Sequence, residues 1–371
     1  MGGTMGEHVN AVMDKAIADE KIVGAELIVF HKGQQLIRRT AGWFDREAEV
    51  PMMENAIYRL ASVTKPIIAA TTLAMVDKGL IRLDDSVSDY LPYFTPRGPD
   101  GQIPRITIHH LLTHTSGLGY HYPAPRKFSM GLGPSAMGFK ENFTLLAEHD
   151  LLFIPGTNWL YSVGIDVLGA VLSAVHGGTL QDAVATHVTG PLGMTETGFF
   201  VAGNSRLAIP YADGNPPTVM TDPQPLTNAA GETSVFSPSR IFSDKAFQSG
   251  GAGMAGTASE IAFFLETLRK GGEPILSRPM VQCGFANQIG DLVRPVPGTK
   301  FNYFGQLIVD PVAAESPAAR NSISWGGVYG HSWLVDPSNE LTIVSMSNTA
   351  FEGCTGAYPN DLIRAVYADF I

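Results

Sequence analysis

Strand-forming segments stand at the two ends of this chain and helix-forming ones lie between them, which is the pattern that most restricts its fold. Near the start, "GAELIVFHKGQQLIRRTAGW" (24–43) holds two β-prone runs around His31-Lys32-Gly33-Gln34, the composition of a hairpin. Near the end come "NYFGQLIV", "SISWGGVYGHSWLV" and "ELTIVSMSN", followed by a closing helix at 359–370. Residues 85 to about 234 have no strong strand signal and are broken by "PRGPDGQIP" and "GNPPTVMTDPQP". One antiparallel sheet built from both termini, flanked by helices and carrying an inserted, mainly helical region, is the architecture this order predicts: an α/β (α+β) fold. The expected division is 1–84 with 235–371 as the sheet domain and 85–234 as the helical one, with an active site at their interface. No internal repeat competes with it.

Two helices are well marked. Residues 7–18 form an amphipathic one, and in "TASEIAFFLETLRKGG" Thr257 and Glu260 have capping-box spacing while Ile261, Phe264, Leu265 and Leu268 share a face before Gly271. A third, "TKPIIAATTLAMVDKG", is apolar throughout and stops near Gly79. At its mouth sit Ser62 and Lys65. Pro66, which lacks an N–H, is tolerated only in a first turn and so sets the helix start close to Ser62. A three-residue spacing brings Ser62 and Lys65 onto one face, and the positive end of the helix dipole favours a developing oxyanion there. Apolar neighbours Leu60, Ala61, Ile67 and Ile68 would dehydrate the ammonium and favour its neutral, proton-accepting form.

The segments "LASVTKP", "ITIHHLLTHTSGL", "PGTNWLYSVGIDVLGAVL", "GPLGMTETGF", "SGGAGMAGTASEI" and "WGGVYGHSWLVDP" occur in an order that resembles the serine β-lactamase-like family. Within it the chain is most similar to family VIII carboxylesterases, relatives of class C β-lactamases and DD-peptidases, from about residue 10 to 370. The resemblance implies Ser62 as nucleophile, Lys65 as its neighbouring base and Tyr161, in "YSV", as the phenol that shares their proton; either Lys65 or Tyr161 could be the formal base. A phenol beside an ammonium gives up its proton more readily and can relay it to a leaving alkoxide. It also implies an oxyanion hole from the backbone N–H groups of Ser62 and Val328, with Gly326 and Gly327 admitting substrate close to the backbone. A bulge is the other reading of that glycine pair.

Two positions depart from the lactamase pattern. Val163 stands where the resemblance implies an Asn that binds the antibiotic's amide, and Trp325 where it implies a Lys that faces a carboxylate. A buried carboxylate or amide without its partner is costly, so a neutral ester is the expected substrate. With no amphipathic lid of the interfacial kind in the sequence, a short acyl chain is the expected size. Trp325, Trp333, Tyr120 and Tyr122 are candidate pocket walls, each of which core packing would explain equally. Segments 117–138 and 210–248 have the composition of rim or lid loops. A β-lactamase, a DD-peptidase-like hydrolase, an acyltransferase using the same acyl-enzyme, or a non-catalytic sensor are the alternatives.

Other chemistries fit less well. "GHSWL" lacks the final glycine of a nucleophile elbow, which leaves Ser332 a decoy. His110 and His114 are four apart, but no Glu follows the first as in H-E-x-x-H, so no metal and no other cofactor is expected. A net charge of −10 with no cationic cluster disfavours nucleic acid and an anionic membrane as partners, leaving a small-molecule ester. Without a basic, apolar leader or a bilayer-length apolar run, and with Cys283 and Cys354 read as reduced, buried thiols, a cytoplasmic location is expected.

Overall fold

The computed structural model describes residues 6–122, 127–203 and 205–371. Helix α1 (Glu7–Ala18) leads into β1 (Gly24–His31) and β2 (Gln34–Asp45), with β3 (Val50–Pro51) beyond. The β1–β2 turn has Lys32 at φ 51° and Gly33 at φ 83°. Two successive positive φ values give the type I′ hairpin that matches strand twist. From the C-terminal part come β4 (Thr299–Phe301), β5 (Gln306–Ile308), β6 (Ile323–Gly327), β7 (His331–Asp336) and β8 (Leu341–Ser347). The eight form one antiparallel sheet in the order β4-β5-β6-β7-β8-β1-β2-β3. The two ends of the chain meet inside the sheet, where β1 pairs with β8 and Val29 lies opposite Ile343.

Period-two alternation gives this sheet two apolar faces. Leu27, Val29 and Ile343 pack against α1 and the C-terminal helix α5 (Ala357–Phe370) through Val9, Met13, Leu362 and Val366. Ile28, Val344 and Met346 face the larger core, which holds α2 (Thr64–Asp77), α3 (Gly164–His176) and α4 (Ala258–Arg269). Ile261, Phe264, Leu265 and Leu268 of α4 are all buried there. Helix α2 is buried on every side from Thr64 to Met75, as a helix without a polar face must be.

Three details differ from the sequence expectation. The run 322–335 is two strands, β6 and β7, folded back at Gly330 (φ 118°) so that Trp325 lies opposite Trp333. Two small hairpins lie in the segment expected to be helical, Tyr211–Ala212 with Thr218–Val219 and Gln224–Thr227 with Thr233–Phe236. Their strands are two to four residues long, too short for apolar alternation to mark them, although Tyr211, Ala212 and Phe236 are buried. The Thr257 cap is half a capping box: its hydroxyl accepts from Glu260 N–H, while the Glu260 carboxylate accepts from Glu196 N–H and Thr197 Oγ instead.

Candidate active site

Ser62 lies in a 3-10 turn, Ala61–Val63, that runs directly into α2. The turn is pinned from behind, since Leu60 N–H donates to Met254 C=O at 2.8 Å and Met254 N–H donates to Thr64 Oγ1 at 3.2 Å. Ala61 has φ 43°, a left-handed conformation that costs a non-glycine residue energy and is held here by full burial beside the serine. Ser62 and Lys65 are 8 % and 5 % exposed. Lys65 Nζ donates to Ser62 Oγ at 3.1 Å and to the carbonyl of Gly251 at 2.7 Å. From the loop before α3, Tyr161 Oη donates to Ser62 Oγ at 2.9 Å. The three residues are therefore brought together around one hydroxyl oxygen, and the ammonium also lies 4.8 Å from the centre of the Tyr161 ring.

Tyr161 is gripped from several sides. The His114 ring packs on it at 4.7 Å, and Trp325 on β6 stacks at 5.0 Å while its Nε1 donates to Tyr161 Oη at 3.3 Å. The Tyr120 ring is 5.2 Å away; burial and the neighbouring Tyr161 and Asp166 push the Tyr120 phenol well up. Behind Trp325 the buried guanidinium of Arg294 lies over Trp159, Phe301 and Trp325 at 4.4, 5.4 and 5.9 Å.

A cavity of about 370 Å3 opens in front of Ser62 and Tyr161, with Tyr120 and Val328 also in its wall. Several expected wall residues are elsewhere. Trp333 is 2 % exposed and belongs to the core, because β7 turns that face inward. Val163, at the start of α3, is core as well. Tyr122 packs between Phe128 and His149 and accepts a hydrogen bond from Gly119 N–H at 3.2 Å, away from the cavity. The lid segment 117–138 includes 123–126, outside the described residues, and its remainder contributes cavity walls, as does 210–248.

The glycine pair has a different physical reason from the one expected. A Cβ on Gly327 would stand 2.3 Å from Leu60 O, and one on Gly326 2.5 Å from His331 O and 2.9 Å from Cys354 Sγ. These glycines let β6 touch the serine turn and its own hairpin partner; neither lines the cavity. Val328, one residue on, does.

Sequence reasoning missed Asp166. It is fully buried on α3, accepts from Ser249 Oγ and from Gly251 N–H at 3.2 Å, and leaves Oδ2 without a hydrogen-bond partner among the described residues. Burial raises its carboxyl, an effect that the nearby Lys65 charge opposes. A Cβ on Gly251 would meet Asp166 Oδ2 at 2.2 Å, so a larger residue there would displace the carboxylate. One charge in the otherwise apolar "GIDVLGAVL" was the available signal. His110 serves as a helix cap, its Nδ1 accepting from Thr107 N–H at 3.2 Å, and His114 Nδ1 accepts from Ser162 N–H at 3.2 Å. Among the described residues no group of three or more His, Cys, Asp or Glu could hold a metal ion. Ser332 lies on β7, paired with Gly326 and outside the cavity. Cys283 is exposed and Cys354 half-buried, both free, so the expectation of two buried thiols fails for Cys283.

A sheet joined from both termini, with a buried serine held by an ammonium at the head of its central helix, is the frame of a serine hydrolase. The sequence model of the family described as Beta-lactamase matches residues 9–368, and the chain belongs to that family. It is 41 % identical to Esterase EstB of Burkholderia gladioli over 98 % of this chain and 96 % of that one. Lovastatin esterase of Penicillium rubens is 28 % identical over 80 % of each. Among solved structures, EstCE1, described as a hydrolase with promiscuous acyltransferase activity, superposes with a TM-score of 0.94 at 37 % identity, covering 97 % of this chain and 98 % of its own.

Proposed function

We propose that the protein is a serine carboxylesterase of the family VIII kind, acting on short-chain acyl esters through an acyl-enzyme on Ser62. One observation carries this reading: Ser62 Oγ accepts from both Lys65 Nζ and Tyr161 Oη at the wall of an open cavity. Ser62 Oγ attacks the ester carbonyl, its proton passing to whichever of Lys65 and Tyr161 stands as the neutral amine or the phenolate at that step. The N–H groups of Ser62 and Val328 hold the oxyanion, and the alcohol leaves carrying the relayed proton. Water then attacks the acyl-enzyme by the same route and releases the acid. No cofactor enters this cycle. Trp325 in place of a cation supports a neutral ester over a β-lactam or peptide carboxylate. Ser62 and Lys65 come from the 1–84 segment and Tyr161 from 85–234, which supports an active site between two domains so divided.

The names of EstB and EstCE1 support ester hydrolysis, and that of EstCE1 also supports acyl transfer, in which an alcohol replaces water at the second step. We take the partner to be a small-molecule ester rather than nucleic acid or membrane; no helix among the described residues is long and apolar enough to cross a membrane. The two free thiols support a reducing, cytoplasmic setting.

A fluorophosphonate should label the Ser62 peptide of the intact protein, and Ser62→Ala should abolish both labelling and p-nitrophenyl butyrate turnover. Full activity in Ser62→Ala would sink the mechanism.

A further inference from the structure

A butyryl group fills only part of the cavity, whose volume of about 370 Å3 lies in the range of sites for drug-sized ligands. If the acyl chain is short, as proposed above, the remaining space belongs to the alcohol. The cavity exposes more apolar than polar surface, with Phe128, Met130, Leu132 and Phe351 among its walls. Glu232, whose side chain is partly exposed, is one of the lining residues. Of the described residues lining the cavity it is the one carboxylate, and none of them is a lysine or arginine.

Glu232 is held in place. It sits at the tip of the hairpin formed by Gln224–Thr227 and Thr233–Phe236, where its N–H donates to Asn228 Oδ1 at 2.9 Å and its Oε2 accepts from Asn228 Nδ2 at 2.9 Å. Its Oε1 is 3.1 Å from Nε2 of His121, which also lines the cavity. Both side chains are about half exposed, at 55 % for His121 and 47 % for Glu232, and exposed pairs of this kind are weak enough for a ligand to displace. A cation entering there would meet a fixed carboxylate and aromatic faces, both of which attract positive charge. The chain's net charge of −10 favours the approach of cations as well.

We infer that the cavity accepts esters of alcohols bearing a positive charge, and that Glu232 reads that charge. This rests on the esterase reading. The hydrolysis is the one described, with the cationic alcohol as the leaving group taking the relayed proton.

Three butyrate esters test it: butyrylcholine, its neutral isostere 3,3-dimethylbutyl butyrate, and anionic 4-butyryloxybutanoate. In low salt, kcat/KM should favour the cation over the isostere roughly fivefold and the anion should be slowest, a modest ratio because the charge is partly solvated. The preference should shrink in about 0.5 M salt and vanish in Glu232→Gln, where the cation-to-isostere ratio is the readout. Equal rates on all three, turnover of none of them, or a ratio that survives in Glu232→Gln would overturn the inference. Turnover of p-nitrophenyl butyrate, which has no charged alcohol, reports separately on the esterase reading. Its presence without charge discrimination would refute this inference alone.

Discussion

Trp325 takes the place that the lactamase pattern gives to a cation, and it turns from substrate contact to support of the phenol. Its indole N–H reaches Tyr161 Oη at 3.3 Å while its ring rests on Phe301 at 5.4 Å and on the Arg294 guanidinium. Trp325→Phe keeps the ring and removes the donor. A net hydrogen bond of about 1 kcal/mol predicts a roughly fivefold fall in kcat with KM nearly unchanged, read from p-nitrophenyl butyrate kinetics. An unchanged kcat would show that packing alone holds Tyr161. Sequence singled out Trp325 as a pocket wall because it interrupts the family motif, but it is not among the described residues lining the cavity. Its partner was not legible, since Tyr161 and Trp325 are 164 positions apart.

The head of α2 and the end of β6 work as one unit. Leu60 carbonyl, Val63 and Gly327 are in contact, so the backbone that carries Ser62 sets where Val328 can lie. Gly327→Ala would push a Cβ to 2.3 Å from Leu60 O and 3.2 Å from Val63 Cγ2. Backbone is what it meets, so the strand itself has to move. Overpacking of this kind costs about 1–3 kcal/mol, and displacement of one oxyanion donor costs about 100-fold in kcat. Urea unfolding and steady-state kinetics on the same variant would read both. Wild-type kcat in a destabilised Gly327→Ala would separate strand position from chemistry.

Several histidines are built into the molecule as neutral groups. Burial pushes His331 down to about 4, and burial together with the Lys65 and Arg294 charges holds His114 well below the ordinary range. His331 packs edge-on to Tyr58 and donates from Nε2 to Arg59 C=O, and its burial makes protonation within the fold costly. A histidine whose folded-state value lies below the unfolded one binds fewer protons when folded. Its contribution is complete above about pH 6.5 and is lost as the pH falls toward the folded value. For His331 alone the loss approaches about 1.4 kcal/mol per pH unit between about 6.5 and 4. Urea midpoints should therefore fall steadily from pH 7 to 5, and His331→Gln should flatten that slope. Constant midpoints across this range would contradict the account.

Contacts within a turn or two are written in spacing, and these the chain declares openly. The i, i+3 step that joins Ser62 to Lys65, the Lys32-Gly33 hairpin, the buried face of α4 and the apolar girth of α2 all follow from local periodicity and backbone preference. Tyr161 was found only through family resemblance, because nothing local marks a phenol that meets a serine 99 positions away. Asp166, the strained Ala61, the close approach of Gly327 and the inward turn of Trp333 needed the packed molecule. Each depends on how a strand and a helix distant in sequence are pressed together, and period two or 3.6 says which face is apolar without saying what it will meet.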